Sequence, residues 1–277
     1  MKSRNLERAA GDRPSGPLLQ VAEVSKAFEG LQALEGVGFE VGSGAIKSII
    51  GPNGAGKTTL LNIINGLLAP TSGEVFFQGH RLTGLPPHRI AALGISRTFQ
   101  LIRLFTVNKA TVLDNVLLGA HRHLQPSITG ALLFRARTAR QEREARGKAA
   151  DLLRFVGLED VGAALPGALP FGSQRLLELA RCLMSDPDLL LLDEPASGLN
   201  DAEVERFREL LIALRTQGKT ILLVEHNMKL VMNISDDVLV LNFGRRLAEG
   251  PPALISADPE VIRAYLGSED HNGWQVS

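Results

Sequence analysis

The chain has 277 residues, 44% hydrophobic and 22% charged, enough apolar material for one large core or a core with a smaller satellite, so disordered and fibrous classes drop out. Thirty Lys and Arg balance thirty Asp and Glu, leaving no net field to hold a nucleic-acid backbone, and no nucleic-acid partner is expected. The single cysteine, Cys182, excludes an internal disulfide, and in its apolar, helix-like setting it reads as a reduced, buried thiol of a cytoplasmic protein.

Residues 1–17, with Arg4, Arg8, Arg13 and Pro14, read as a flexible tail. They lack the apolar core of a signal peptide, and no later run reaches the roughly 18 apolar residues that a membrane span requires. Short β-like runs follow at residues 18–21, 38–41 and 45–50, punctuated by glycines. Residues 57–68 place Leu60, Leu61, Ile63, Ile64, Leu67 and Leu68 at helical spacing, with Pro70 beyond the expected stop. After a strand-like run at 75–77 the character changes over residues 101–170. There Thr111-Val112-Leu113-Asp114 resembles a capping box and a charged helical run covers 135–156, which reads as an inserted helical subdomain. Arg135, Arg137, Arg140, Arg143 and Arg146 alternate with Glu142 and Glu144, the pattern of a solvated helix face rather than of a phosphate-binding surface. From Ser173 helix (to 184), strand (189–192), helix (202–214) and strand (220–224) alternate, and a further strand follows at 238–242. Such alternation predicts an α/β fold with a parallel sheet covered by helices. Residues 238–250 suggest a hairpin and 251–266 short closing helices.

Gly51, Pro52, Asn53, Gly54, Ala55, Gly56, Lys57 and Thr58 fit G-x-x-x-x-G-K-[S/T]. Glycines there let successive backbone N–H groups point at phosphate oxygens, and the following helix adds its positive end. Lys57 can reach β- and γ-phosphates, and the Thr58 hydroxyl can take one position on Mg²⁺. A plain glycine turn is the bland alternative, but an apolar run (Ile46, Ile49, Ile50) precedes the loop and a helical pattern follows it. Leu189 to Leu192 then run into Asp193 and Glu194, at the strand end where an open α/β sheet presents ligand-handling groups. Beside a cation-bound phosphate, Asp193 suits the Mg²⁺ shell and Glu194 the orientation or deprotonation of a water. Without the phosphate loop, a helix N-cap would be as good a reading of the two acids. His226, alone, reads as structural, Gln100 as a surface residue, and Phe28 as core.

Taken together, Gly51 to Thr59, Gln100, Leu169 to Gln174, Asp193-Glu194-Pro195 and His226, in that order and at these separations, resemble the nucleotide-binding subunit of an ABC transporter over residues 18–267. Arg97-Thr98-Phe99-Gln100, Leu169-Pro170-Phe171-Gly172, Ala196-Ser197-Gly198-Leu199-Asn200 and the segment from Val261 to Gly267 more narrowly resemble ATPases of branched-chain amino acid importers. The resemblance implies a P-loop NTPase fold: a RecA-like, mostly parallel core, an N-terminal antiparallel β subdomain, and a helical signature subdomain at 101–185. It sets the ATPase domain at 18–267, with tails at 1–17 and 268–277. It implies ATP and Mg²⁺ as cofactors, Phe28 stacked on adenine, and Thr59 beside the phosphate loop. Gln100 would sense Mg²⁺ and the attacking water, and His226 would contact the γ-phosphate. Aromatic faces and amide or imidazole donors suit those tasks.

The family's Leu-Ser-Gly-Gly-Gln signature is altered here to Leu169-Pro170-Phe171-Gly172-Ser173, which loses the serine hydroxyl, one glycine and one backbone N–H. Gly172 and a helix starting at Ser173 still face an anion. Asn200 stands where many relatives have Asp, which removes a charge and keeps hydrogen bonding. Similar variants occur in the importer branch. In the family this segment completes a partner's site, which implies a second ATPase subunit; we expect a different chain, with a homodimer as the alternative. Two transmembrane permease subunits and, indirectly, a substrate-binding protein are also implied, with the ATPase peripheral at the cytoplasmic face of the inner membrane. Related transporters carry urea, amides or lipids. A soluble ABC ATPase acting on nucleic acid or ribosomes fits less well, because one phosphate loop and no sustained heptads are present.

Overall fold

The structure, a computed structural model, describes residues 16–98, 104–106, 109–122 and 133–266. The tail calls at 1–17 and 268–277 fall almost wholly outside them, and so does Gln100. Two sheets organise the chain. The first is antiparallel, in the order β2 (Leu31–Val41), β1 (Leu19–Phe28), β4 (Ser72–Phe77), β5 (His80–Arg81). Its first two strands are longer than the predicted runs at 18–21 and 38–41. The reason is local: β1 changes register between Val21 and Val24, around Glu23 at φ 49°, so its apolar alternation switches phase midway.

The second sheet carries the site. β3 (Ile46–Ile50), β8 (Thr220–Val224), β7 (Leu189–Asp193) and β6 (Ile95–Arg97) run parallel in that order. On the other flank of β3 lie parallel β9 (Asp237–Asn242) and then antiparallel β10 (Arg245–Gly250). Every residue of β3, β7 and β8 is buried, which explains the unbroken apolar runs Leu189–Leu192 of β7 and Ile221–Val224 of β8. Each buried leucine of β7 contributes about 1.5–3 kcal/mol, so the strand's place is fixed well before its acidic end is considered.

Helices cover this sheet. α1 (Lys57–Ile64) follows β3 and ends short of the predicted Leu68, because Asn65 caps it and Gly66 turns to φ 71°. α2 (Pro87–Leu93), β6 and α7 (Met228–Ile234) lie where no element was predicted; all are short. α3 (Val112–Leu118), α4 (Leu133–Val156) and α5 (Phe171–Leu183) pack on one another through Val112, Val116, Ala149, Leu153 and Leu177. The capping box read from the sequence opens α3: Thr111 Oγ1 accepts the Asp114 N–H at 3.2 Å, and Asp114 returns to the Thr111 N–H at 2.9 Å. α4 exposes Arg140–Glu144 and Arg146–Glu142 ion pairs, as a solvated face should. α6 (Asp201–Thr216), α8 (Pro252–Ala257) and α9 (Pro259–Leu266) complete the chain, the last two closing on the β9–β10 hairpin.

Candidate active site

The carboxyl ends of β3, β7 and β8 lie side by side, since Ile49 pairs with Val224 and Asp193 with Val224 in the ladders. From β3 the chain enters the glycine loop. A Cβ on Gly51, at φ 148°, would stand 2.1 Å from the Leu241 carbonyl oxygen of β9. One on Gly56, at φ 99°, would stand 2.6 Å from Leu34 Cδ2 and 2.7 Å from the Ala33 carbonyl oxygen of β2. The Gly244 N–H, in the β9–β10 turn, donates to the Ala55 carbonyl at 3.2 Å. The loop is thus held from behind by both sheets. It opens α1, whose N-terminus has no side-chain cap, so first-turn N–H groups face outward as an anion cradle. Lys57 is buried and folded back over the loop, donating to the Gly51 and Pro52 carbonyls at 2.6 and 3.0 Å. Thr58 is exposed and Thr59 half-buried on the same first turn.

Asp193 is the last residue of β7 and only 2% exposed. Its Oδ2 accepts the Arg97 guanidinium at 2.9 Å, and Arg97 also donates to Asn62 Oδ1 of α1 at 2.8 Å. Among the described residues Asp193 Oδ1 has no hydrogen-bond partner, which is unusual for a buried carboxylate oxygen. Burial pushes the Asp193 carboxyl above the ordinary carboxylate range. The Arg97 hydrogen bond and charge pull it back, Glu194 pushes it up, and Lys57 pulls it down. A hard, orphaned oxygen beside a phosphate cradle fits Mg²⁺, which takes one or two protein oxygens plus phosphate rather than a full protein cage. Accordingly, among the described residues no group of His, Cys, Asp and Glu could hold a metal by itself.

Glu194 turns out of β7 at φ 47°, a conformation that costs a non-glycine residue about 1–2 kcal/mol, and its N–H donates to the Val224 carbonyl at 2.8 Å. Neither acid caps a helix: the N-cap of the next helix, α6, is Asn200, whose side chain accepts the Glu203 N–H at 3.0 Å. After β8, Glu225 is fully buried and His226 is 59% exposed. His226 Nδ1 lies 4.0 Å from Oε2 of both Glu194 and Glu225. Burial raises the Glu225 carboxyl, while backbone N–H donors and the His226 charge lower it.

Phe28 ends β1 with 42% of its surface exposed and Lys26 Nζ 5.0 Å from its ring centroid, an open aromatic face rather than core. The signature helix begins at Phe171, two residues before the predicted Ser173, because Pro170 is already fitted to the N-cap position. Gly172 and Ser173 lie in the first turn of α5, which has no side-chain cap. Phe171 is exposed, with the Arg175 guanidinium 5.4 Å from its ring centroid.

Residues 34–197 match the family model described as ABC transporter. The chain belongs to the ABC transporter family. The cassette's residues 245–271 also match the model for the branched-chain amino acid ATP-binding cassette transporter. It is 44% identical over 254 residues to BraF of Pseudomonas aeruginosa, a high-affinity branched-chain amino acid transport ATP-binding protein. Identity to LivG of Escherichia coli K12, of the same description, is also 44%; each alignment covers 91% of this chain and 99% of the relative. The ADP conformation of MJ1267, an ATP-binding cassette of an ABC transporter, superposes with a TM-score of 0.79 at 30% identity. That superposition covers 92% of this chain and 100% of the other. A dimeric bacterial ABC transporter cassette, MJ0796, superposes at 0.72 with 27% identity, covering 84% and 98%. The cassette is an ATPase, and the recognition and fold class read from the sequence are borne out.

Two contributors to this ABC ATPase site went unassigned by sequence reasoning. Arg97 was read only as part of a family string, yet it is the buried partner of Asp193. Glu225 carries no reading in the sequence analysis, yet its carboxylate is fully buried. An uninterrupted apolar run ending in a single acid was the available signal for Glu225. Arg97 had none, because its partner lies 96 residues away. Cys182 behaves as expected: it is free and buried, its Sγ donates to the Arg97 carbonyl at 3.3 Å, and burial pushes the thiol up to about 11.

Proposed function

We propose that the cassette drives an importer of branched-chain or other hydrophobic amino acids, docked on two permease subunits at the cytoplasmic face of the inner membrane and served by a substrate-binding protein. The observation that carries the cargo is the likeness to BraF and LivG along 91% of the chain, joined to the match at 245–271. Among the described residues no helix is long and apolar enough to cross a membrane, so the translocation path would belong to other chains. An open groove of about 710 Å³ between α2, β6 and the helices α3 and α5 suits docking of a permease segment. It reaches Arg97, so a segment seated there would adjoin the partner of Asp193. We take residues 18–267 as one ATPase domain, with 101–185 as its helical part.

In this reading Gly51 to Thr59 hold the phosphates through backbone N–H groups and Lys57, and Phe28 stacks on adenine. Thr58, Asp193 through Oδ1, and Gln100 would hold Mg²⁺, which when bound neutralises phosphate charge. Glu194 orients or deprotonates the attacking water, and His226 contacts the γ-phosphate. Gly172 and Ser173 serve a neighbouring ATPase subunit's nucleotide. We assign that neighbour to a different chain, on the altered signature at Pro170 and Phe171; recovery of only a self-dimer from the assembled transporter would refute this.

The decisive experiment reconstitutes the cassette with its membrane partners and measures ATPase activity as the cognate binding protein delivers solutes. Stimulation by leucine, isoleucine or valine is expected; stimulation by another solute alone removes the cargo assignment. Retention of turnover in Glu194→Gln would remove the assignment of Glu194.

A further inference from the structure

Glu225 directly follows β8, next to the groups assigned to hydrolysis, but its carboxylate is spent inside the protein. Oε1 accepts the Ala196 N–H at 2.7 Å; Oε2 accepts the His226 and Asn227 N–H groups at 3.0 and 3.2 Å. Ala196 lies in the turn just after Glu194, and His226 and Asn227 lead into α7, whose N-cap is Asn227. One buried side chain therefore ties together the two loops that leave neighbouring strand ends. Only a group with two acceptor oxygens and no donor satisfies three converging N–H groups; an amide would turn its NH₂ toward at least one of them. Burying a carboxylate is unfavourable unless it is fully hydrogen-bonded, so the bridge is the physical reason this acid stands at the end of an otherwise apolar strand.

The loop held by Glu225 continues to the entrance of α5. A Cβ on Gly198 would stand 2.9 Å from the Phe171 ring, and one on Gly172 would stand 2.2 Å from Glu203 Oε1. Contact is continuous from His226, through Glu225 and Ala196, to the helix start assigned to a neighbouring subunit's nucleotide.

We propose that Glu225 is a positioning residue for ATP hydrolysis: it holds the His226 loop and the loop of residues 195–200 in fixed register about Glu194. The proposal rests on the roles given above to Glu194 and His226. Glu225 touches no reacting atom. It sets where the imidazole stands relative to Glu194, and loss of such register acts on turnover rather than on binding.

The test uses the full-length chain in its transporter. Glu225→Gln and Glu225→Asp are each expected to lower kcat about 10–100-fold. KM for ATP and affinity for the fluorescent analogue TNP-ATP should stay within about two-fold of the parent. The aspartate keeps the charge but is one methylene too short to span both loops, so full turnover in Glu225→Asp would overturn the bridge. Turnover of Glu225→Gln near the parent's would overturn it as well, and so would a parallel loss of nucleotide affinity. Glu194→Gln, run alongside, separates the two claims: if it loses turnover while the Glu225 variants do not, only the present proposal fails. If it keeps turnover, the underlying assignment fails. A measurement free of variants is amide hydrogen exchange in the parent. The Ala196, His226 and Asn227 amides should exchange slowly although they lie in loops, and unprotected exchange at these sites would refute the bridge.

Discussion

The entrances of α1 and α5 both lack a side-chain cap, and they are built differently. At α1 the glycine loop is pressed against Leu241, Leu34 and Ala33, and Lys57 is tied to the loop's own carbonyls. At α5 the N-cap is Pro170, the exposed Phe171 ring lies over Gly198, and the Glu203 carboxylate packs beside Gly172. The first entrance is a finished anion cradle, rigid because backbone from two sheets supports it. The second has an acid of its own chain beside it and an exposed aromatic in front. In the proposed reading its N–H groups serve a nucleotide brought by another subunit. The difference teaches that substitutions at α1 should be felt by the isolated cassette, and substitutions at α5 chiefly by the assembled machine.

The largest effect is expected at the brace. Gly51→Ala drives a methyl group into the Leu241 carbonyl and should destabilise the chain by about 3 kcal/mol or more, read as a lower midpoint in urea unfolding. An unchanged midpoint would mean that the loop is not pressed on β9. Next, Arg97→Met leaves Asp193 buried without its counter-ion, at a cost of about 3–5 kcal/mol near neutral pH. Here the sign matters. Folded Asp193 has its pKa raised above the unfolded 3.8, and losing Arg97 raises it further. The penalty is therefore absent where the carboxyl is protonated in both states, and it accrues as pH rises through the folded pKa. Unfolding curves of parent and variant should converge toward pH 4; a constant gap would contradict this.

Smaller changes sharpen the contrast between entrances. Lys57→Ala removes the charge-assisted phosphate contact proposed for it, so ATP affinity of the isolated cassette should fall about 10–100-fold by titration calorimetry. Asn200→Ala deletes the α6 cap and should lower stability by about 1 kcal/mol in thermal melts. Gly172→Ala meets the end of the Glu203 side chain, whose Oε2 accepts the Asn200 N–H at 3.0 Å, so stability should fall by no more than about 1 kcal/mol, the worth of that cap. Its ATP affinity in isolation should match the parent, while turnover of the assembled transporter drops. Weaker ATP binding by isolated Gly172→Ala would erase the distinction drawn between α1 and α5.

Much of the site was legible in sequence where chemistry and chain order coincide. The glycine loop lies between an apolar run and a helical repeat, so strand, loop and helix could be read in succession, and Thr111 and Asp114 announced the start of α3. Legibility failed where elements are short or interrupted. α2, β6 and α7 are too brief for periodicity, and the shift of register around Glu23 hid half of β1. Helix ends also slipped: α5 begins at Phe171 because proline serves at its N-cap, which spacing of apolar residues does not reveal.

What the sequence alone determined is the family, the phosphate loop and the two acids at the end of β7, because these are patterns among chain neighbours. Only the tertiary structure decided that Arg97, 96 residues from Asp193, is its buried counter-ion, that Glu225 reaches 29 residues back to Ala196, and that Leu241 and Leu34 press on the loop. Strand order in a parallel sheet brings such residues together, and burial then makes each unpaired charge or donor costly enough to select its partner.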